Sequence, residues 1–363
     1  MTAVDVPTQR RNRPLWRRLL GPLLSLALLV AVFLWFLPQF TSISDVWSSV
    51  QAMTWTQVAF LVLAAVWNLA TYQFVVLSTM PGLTFGQATV STETTTAVSN
   101  TVLGGAAVSL GLTYAMNSSW GFSRSRTSVS LLVSGLFNNF AKLGLPVFAL
   151  AMLAFTSTPT TGKLLAGVAG VAGLVVAVTV LWLLLRSRES AARLGLLMGR
   201  VASAVVRPFG RPPVEGWDRA TSKFRDRTAL LLHARWHWIT LATLVSHLSL
   251  FLVLLIALRS LGVDSGQVGW AEALAIFAFA RLLTAIPFTP GGLGVVEFAL
   301  ITGLAAAGGE RALVAAAVLV FRALTYVLPI PLGLVTYVIW QRNKSWRRSP
   351  NSAPRTDLVP ETV

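Results

Sequence analysis

The chain has 363 residues, of which 55% are apolar and only 12% are charged. Soluble domains carry about 25% charged residues, so this composition excludes an ordinary water-exposed surface and predicts a protein surrounded by lipid. There is no cysteine, which excludes disulfides, thiolate metal sites and cysteine nucleophiles.

The net charge of +16 fits either a nucleic-acid-binding protein or a membrane protein, and the positions of the basic residues separate the two. Five basic residues lie in residues 1–18, eleven lie in 186–235 and five follow Trp340. Basic clusters that flank apolar runs follow the positive-inside rule. We therefore expect no nucleic-acid partner, and we expect the basic segments to contact anionic lipid headgroups.

Six apolar runs are long enough to cross the hydrocarbon core, which requires about 20 residues. They are Leu19–Pro38, Val58–Leu77, Ser128–Phe155, Leu164–Leu185, Ile239–Leu258 and Leu313–Ile339. We interpret the first run as an uncleaved transmembrane helix, because no clear small-residue cleavage site follows Phe40.

Two further hydrophobic stretches carry unusual residues. Ala88–Met116 is rich in Thr, Ser and Gly and includes Glu93 and Asn100, and Val268–Gly308 includes Arg281 and a run of Pro and Gly. Broken backbone at membrane depth must be buried in protein or line a cavity. We interpret both stretches as re-entrant helical hairpins. The alternative is that they contain ordinary spans, which gives an all-α protein of eight spans.

The charge distribution predicts a protein of the cytoplasmic membrane with both termini in the cytoplasm. Residues 1–18 and 341–363 would be basic cytoplasmic tails on a membrane domain at 19–340, and 186–235 would be a basic cytoplasmic segment within it. The first hairpin then opens from the cytoplasm and the second from outside. The two halves run in opposite directions, and such inverted repeats are typical of transporters with a site at the repeat interface.

The segment between Arg281 and Glu297 predicts a non-helical turn. It contains two prolines and three glycines, which are Pro287, Pro290, Gly291, Gly292 and Gly294. The glycines permit positive φ and close backbone approach, and the free N–H groups where the next helix begins can bind an anion such as a lipid phosphate. The alternative is a helix-packing turn without a ligand.

Three ionisable residues in the second half, Arg281, Glu297 and Arg322, fall within apolar surroundings. A charge near the bilayer centre costs about 2.5–3.5 kcal/mol, so it is usually paired or faces a wet cavity. We expect Glu297 to pair with Arg281 or Arg322. Either the arginines attract a lipid headgroup while Glu297 balances charge, or the pair is a structural salt bridge.

Polar residues of the first half are predicted to line the opposite wall of the same cavity. They are Glu93, Asn100, Asn138, Asn139 and Lys142. The alternative is that they form hydrogen bonds between helices, which are worth about 0.6 kcal/mol each in membranes.

The three histidines do not predict a metal site. His233 and His237 lie four residues apart, but no carboxylate accompanies them, and Trp236 and Trp238 flank His237. We interpret this cluster as an interfacial aromatic belt, and His247 as a packing residue within a span. We therefore expect no metal and no cofactor.

The run P-G-G-L-G-V-V-E at Pro290–Glu297 is similar to the P-G-G-x-G-x-x-E signature in the transmembrane domain of lysylphosphatidylglycerol synthase/flippase proteins. The resemblance covers roughly residues 15–340, and Asn100–Gly105, the Arg124 loop and Asn138–Lys142 look like the family's first half. It implies a flippase-like domain that moves an anionic or modified lipid between leaflets. Only 23 residues follow Trp340, where the synthase's soluble domain would stand, so we expect a stand-alone, non-enzymatic member.

Three functions follow from these observations. The leading hypothesis is a translocator of a phospholipid or other lipid-linked anionic headgroup. The alternative is a non-transporting partner of a glycosyltransferase or lipid-modifying enzyme, bound through residues 186–235. A membrane-embedded transferase with Glu297 as base is weaker, because no nucleophile or metal set accompanies that residue.

Overall fold

The computed structural model describes residues 43–102, 104–156, 217–284 and 290–348, with four isolated positions between 157 and 216. The predicted spans Leu19–Pro38 and Leu164–Leu185, most of the basic segment and both extreme termini lie outside the described residues. Within the described ranges the chain forms helices and no strand, which confirms the all-α prediction there.

The helices are numbered along the described chain, and a 3₁₀ turn and a π-helical segment interrupt the second half. They are α1 (Ile43–Gln51), α2 (Trp55–Thr79), α3 (Phe85–Thr101), α4 (Gly105–Ser119), α5 (Arg124–Thr156), α6 (Trp217–Ser260), α7 (Trp270–Leu283), the turn Pro290–Gly292, α8 (Val295–Ala306), α9 (Arg311–Arg322), the π-helix Ala323–Val327 and α10 (Pro329–Arg342).

Four parts of the described chain are long and apolar enough to cross a membrane: α2, α5, α6 and the continuous run from α9 to α10. They correspond to four of the predicted spans, Val58–Leu77, Ser128–Phe155, Ile239–Leu258 and Leu313–Ile339. The chain is therefore a multi-pass membrane protein.

The first stretch predicted as a hairpin forms α3 and α4, which pack side by side and run antiparallel. Ser109 Oγ donates to the carbonyl of Thr95 at 2.6 Å, and Gly105 lies against the backbone of Ser99. The two helices have 17 and 15 residues, so they are about 25 and 22 Å long, shorter than the roughly 30 Å hydrocarbon core. This pair is hairpin 1, and its membrane depth stays a prediction.

The threonines and serines of α3 do not prevent helix formation in apolar surroundings. The hydroxyls of Thr95 and Thr101 each donate to the carbonyl four residues earlier, at 2.8 and 2.7 Å. Thr84 begins the helix with a capping box to Gln87. The backbone leaves helical geometry at Gly104, where φ is 71°.

The second stretch forms hairpin 2, which consists of α7 and α8. Gly303 lies against the side chain of Ile276, and Gly308 lies against the carbonyl of Gln267, so these helices also run antiparallel. They have 14 and 12 residues, or about 21 and 18 Å. Residues 285–289, which include Pro287, lie outside the described residues.

Each hairpin packs against the last span of the other half. Hairpin 1 lies on α10, where the hydroxyls of Thr94 and Thr336 hydrogen-bond at 2.9 Å. Hairpin 2 lies on α5 through α7. The first spans, α2 and α6, pack together, and Asn68 Nδ2 donates to Ser249 Oγ at 2.9 Å. This reciprocal packing supports the predicted inverted repeat.

The two hairpins open toward opposite ends of the helix bundle. The base of hairpin 1 lies beside the last residues of α2 and α10, since Asn117 Nδ2 donates to Met80 Sδ at 3.5 Å and Trp340 Nε1 donates to Ser119 Oγ at 3.1 Å. The base of hairpin 2 lies beside the end of α6, where Arg259 donates to the carbonyl of Val268 at 2.8 Å. We call these the first and the second end.

Candidate functional site

The tips of the two hairpins meet at the π-helix in the middle of the bundle. Asn100 Nδ2 donates to the carbonyl of Tyr326 at 3.1 Å, and the Tyr326 hydroxyl donates to the carbonyl of Asn100 at 2.7 Å. The π-helix is marked by a wide bond from the Leu328 N–H to the carbonyl of Ala323 at 2.8 Å. It precedes Pro329, which has no N–H to continue an α-helical pattern.

The Pro290–Gly292 turn at the tip of hairpin 2 packs against α3 and Tyr326. Gly291, Gly292 and Gly294 have φ values of 61°, 71° and 80°, in the range that favours glycine. A Cβ on Gly291 would overlap the Tyr326 ring. These glycines therefore allow a close contact within the protein. Anion binding by the same turn stays a prediction.

Glu297 pairs with Arg322. Arg322 Nε donates to Glu297 Oε1 at 2.6 Å, and both side chains are less than 10% exposed. Arg322 Nη2 also donates to the carbonyl of Gly291 at 3.2 Å, and the guanidinium lies 4.6 Å from the centroid of the Tyr326 ring. Of the two predicted partners, Arg322 is therefore the one that pairs with Glu297, and Arg322 also holds the glycine turn.

Arg281 has a different environment. Its side chain is half-buried, its Nε is buried, and that nitrogen has no hydrogen-bond partner among the described residues. Arg281 and the like-charged Arg322 both line a cavity of about 60 Å³, whose apolar walls include Phe277, Leu300 and Phe321. The structure therefore does not pair Arg281 with Glu297.

A larger cavity of about 240 Å³ lies on the other side of Arg281, among α2, α3, α5, α6, α7 and the last span. At about 30 Å³ per molecule it has room for roughly eight waters. Most of its lining side chains are polar, namely Asn68, Tyr72, Thr92, Glu93, Thr96, Asn138, Ser246, His247, Arg281 and Thr325. The cavity brings together the predicted residues Glu93, Asn138 and Arg281.

Several buried polar atoms around this cavity have no partner among the described residues. Glu93 Oε1 accepts a hydrogen bond from Gln73 Nε2 at 3.1 Å, while Glu93 Oε2 and Gln73 Oε1 have none. His247 Nδ1 bonds to the carbonyl of Thr243 at 3.0 Å, and its Nε2 has none. An unsatisfied buried polar group costs about 1–3 kcal/mol, so the cavity favours a polar occupant.

The remaining predicted site residues lie at its edge or elsewhere. Lys142 is buried on α5, and its positive charge acts on both Arg281 and His247. Asn139 is exposed, and Asn100 is engaged with Tyr326.

Beyond Glu93, Asn138 and Arg281, the sequence interpretation missed the other polar side chains of the cavity wall, including Tyr72 and His247, and it also missed Gln73, which holds Glu93. The polar residues Asn68, Thr71, Tyr72 and Gln73 inside an otherwise apolar span were a usable signal for Tyr72 and Gln73. His247 was interpreted as packing, and it packs through Nδ1 while the rest of its ring lines the cavity.

An apolar groove of about 810 Å³ runs between α5, α7 and α8. Its walls include Leu153, Phe279 and Leu283, and Phe279 and Leu283 are exposed. Ala280 lines both this groove and the 60 Å³ cavity beside Arg281. The small cavity between Arg281 and Arg322 and the apolar groove therefore adjoin each other at Ala280.

The aromatic cluster of His237 and its two tryptophan neighbours lies near the middle of α6. The His237 ring lies 6.0 Å from Trp236 and 5.4 Å from Trp238, centroid to centroid, and all three side chains are exposed. Over the described ranges, no group of three or more His, Asp or Glu side chains is placed to hold a metal ion.

Comparison with known proteins identifies the family. No curated protein sequence matches the chain. The family model described as the lysylphosphatidylglycerol synthase TM region matches residues 20–333. That range contains both hairpins, the Pro290–Glu297 signature and every polar residue of the central cavity. The chain therefore belongs to the family of the lysylphosphatidylglycerol synthase TM region.

Proposed function

We propose that this protein translocates a phospholipid, or another lipid-linked anionic headgroup, across the cytoplasmic membrane. The observation that carries the proposal is Arg281, which has no acidic partner among the described residues and lies on the wall of a polar cavity inside a membrane-spanning bundle. Such a residue is costly in lipid and usually serves a substrate or ion pathway.

The charges around the hairpin tips favour an anion. Glu297 neutralises Arg322, and among the described residues Arg281 and Glu93 are the charged side chains that line the cavity. No ion pair joins these two side chains, so the guanidinium of Arg281 is available to an anion. A phosphate diester carries one negative charge, and guanidinium groups bind phosphate oxygens through charge-assisted hydrogen bonds.

The architecture supports a route between leaflets. The hairpins open toward opposite ends and their tips meet beside the cavity, so movement of one tip at a time would expose the headgroup to one side at a time. The acyl chains would stay in lipid, and the 810 Å³ groove beyond Ala280 offers an apolar surface for one of them.

Charge at the two ends supports the proposed orientation. The first end carries Arg124, Arg126, Lys344, Arg347 and Arg348, which makes it strongly basic. The second end carries acids as well as bases: Arg259, Asp264, Glu272, Glu310 and Arg311. By the positive-inside rule the first end is cytoplasmic, and the C-terminal residues lie on that side.

A liposome assay tests the proposal. Purified chain is reconstituted with a fluorescent phosphatidylglycerol, and a membrane-impermeant quencher reports the fraction that crosses. Arg281→Gln should slow transport about ten- to hundredfold, because a hydrogen bond to a charged group contributes about 1.5–3 kcal/mol. Arg124→Gln, which changes an exposed arginine outside the cavity, is the control.

Transport by Arg281→Gln at the wild-type rate, with equal amounts of folded protein, would contradict the proposed role of the cavity. No transport by the wild-type chain would instead favour the alternative function, a non-transporting partner of a glycosyltransferase or lipid-modifying enzyme. A pull-down with and without residues 186–235 tests that alternative.

A further inference from the structure

We propose that Glu93 takes up a proton when the cavity takes up an anionic headgroup, so that the two move together. This inference rests on the proposed function and adds a source of energy for it. It starts from two residues of opposite charge that line one cavity without contacting each other.

Glu93 and Arg281 both line the 240 Å³ cavity, and no hydrogen bond or ion pair joins them in the described structure. Glu93 is 5% exposed and is held by the neutral amide of Gln73 through Oε1. Its Oε2 has no partner among the described residues. The carboxylate therefore shares the cavity with Arg281 without pairing with it, and one of its oxygens remains available to a proton.

A bound headgroup changes that balance. Its phosphate would neutralise Arg281 and place a second negative charge in the same small cavity as Glu93. A neighbouring like charge disfavours the ionised form of a carboxyl group. Glu93 then binds one proton from water at Oε2, and no other bond is made or broken. The neutral acid can also donate that proton in a hydrogen bond to the headgroup.

The groups facing Glu93 from the surrounding helices leave it as the proton acceptor. Among the described residues, the titratable groups that line the cavity with Glu93 are Tyr72 of α2, His247 of α6 and Arg281 of α7, while the last span contributes Thr325 and Pro329. Lys142 of α5 is buried nearby. His247 lines the same cavity, and its Nε2 has no partner among the described residues. It is therefore the competing site that an experiment must separate from Glu93.

Thermodynamic linkage between proton binding and headgroup binding predicts the direction in which headgroup affinity changes with pH. If binding adds a proton to Glu93, the headgroup binds best at low pH, where Glu93 is already protonated, and more weakly as pH rises. By reciprocity, the headgroup promotes protonation of Glu93 by the same factor.

The test uses purified wild-type protein and a short-chain phosphatidylglycerol as the probe. Affinity measured from about pH 6 to pH 8 should fall with rising pH, by at most about tenfold per pH unit. Glu93→Gln should bind with an affinity independent of pH, and His247→Asn should keep the wild-type slope. Loss of the slope in His247→Asn and its retention in Glu93→Gln would overturn the proposal.

A direct measurement does not depend on any variant. In weak buffer with a pH indicator, probe binding to the wild-type chain should remove about one proton per headgroup from solution. Binding without proton uptake overturns the coupling and leaves the proposed function standing. No binding of the probe at any pH, together with no lipid transport in liposomes, overturns the proposed function and the coupling with it.

Discussion

Asn100 and Tyr326 exchange two hydrogen bonds, each from the side chain of one residue to the backbone carbonyl of the other. They lie 226 residues apart in the chain. One ends the first helix of hairpin 1 and the other lies in the π-helix above the glycine turn of hairpin 2. This pair is one of the contacts that join the two halves of the protein, beside those of Asn68 with Ser249 and Thr94 with Thr336.

Removing either side chain of this pair should lower stability by a modest and non-additive amount. Interhelical hydrogen bonds in membranes contribute about 0.6 kcal/mol on average and up to about 1.7. We expect Asn100→Ala and Tyr326→Phe each to lower the free energy of unfolding in detergent by an amount in that range. The double variant should cost less than the sum, because both bonds stabilise one contact. Asn139→Ala, at an exposed asparagine, is the control, and an additive double variant would argue against a shared contact.

Breaking the Arg322–Glu297 pair should be more damaging. Removal of one partner of a buried ion pair leaves an uncompensated charge and costs about 3–5 kcal/mol. Glu297→Gln and Arg322→Gln should each strongly reduce thermal stability in detergent, and the double variant should recover part of the loss. Wild-type stability of either single variant would mean that the pair is not buried as described.

Gly291 should be intolerant of alanine for two separable reasons. Both Gly291 and Gly104 have positive φ, where an L side chain costs about 1–2 kcal/mol. A Cβ on Gly104 meets nothing within 4 Å, whereas one on Gly291 overlaps the Tyr326 ring. Gly291→Ala should therefore be less stable than Gly104→Ala in a thermal unfolding assay. Equal losses would show that the turn and the ring are further apart.

Gly333 should be needed for the contact between α3 and α10. A Cβ at this buried position would overlap the Glu93 carbonyl and the Ala97 side chain, and overpacking of this kind costs about 1–3 kcal/mol. Gly111 is also helical, but has open space around it. Gly333→Ala should lower the melting temperature, while Gly111→Ala should leave it unchanged or raise it, since alanine favours a helix by about 0.5–1 kcal/mol.

Hydropathy and backbone chemistry were sufficient to predict much of the architecture. The cost of placing polar backbone in lipid identifies the spans by length alone, and four of them lie in the described residues. Glycine at positions 104, 291, 292 and 294 marks where the helices of each hairpin end, because local backbone conformation decides where a helix ends. The need of Glu297 for a cationic partner also follows from local chemistry.

The sequence did not show which arginine pairs with Glu297, because that choice depends on the three-dimensional packing of the helices. Arg281 is nearer to Glu297 in sequence, yet Arg322, 25 residues away, forms the pair because the last span brings it under the glycine turn. Similarly, no sequence pattern showed that Gln73 would hold Glu93, since they belong to different helices. The π-helix was not predicted either, because a proline within a span indicates only that one backbone N–H is missing.

The exchange of hairpins between the halves has a consequence for biosynthesis. Thr94 and Thr336 lie 242 residues apart, which at about 5–20 residues per second is roughly 10–50 s of translation. During that interval α3 is in the membrane, or waiting beside it, without the helix that covers its polar face. The nascent first half therefore needs a protected setting, such as an insertion machinery that retains it, until the ribosome has completed the last span.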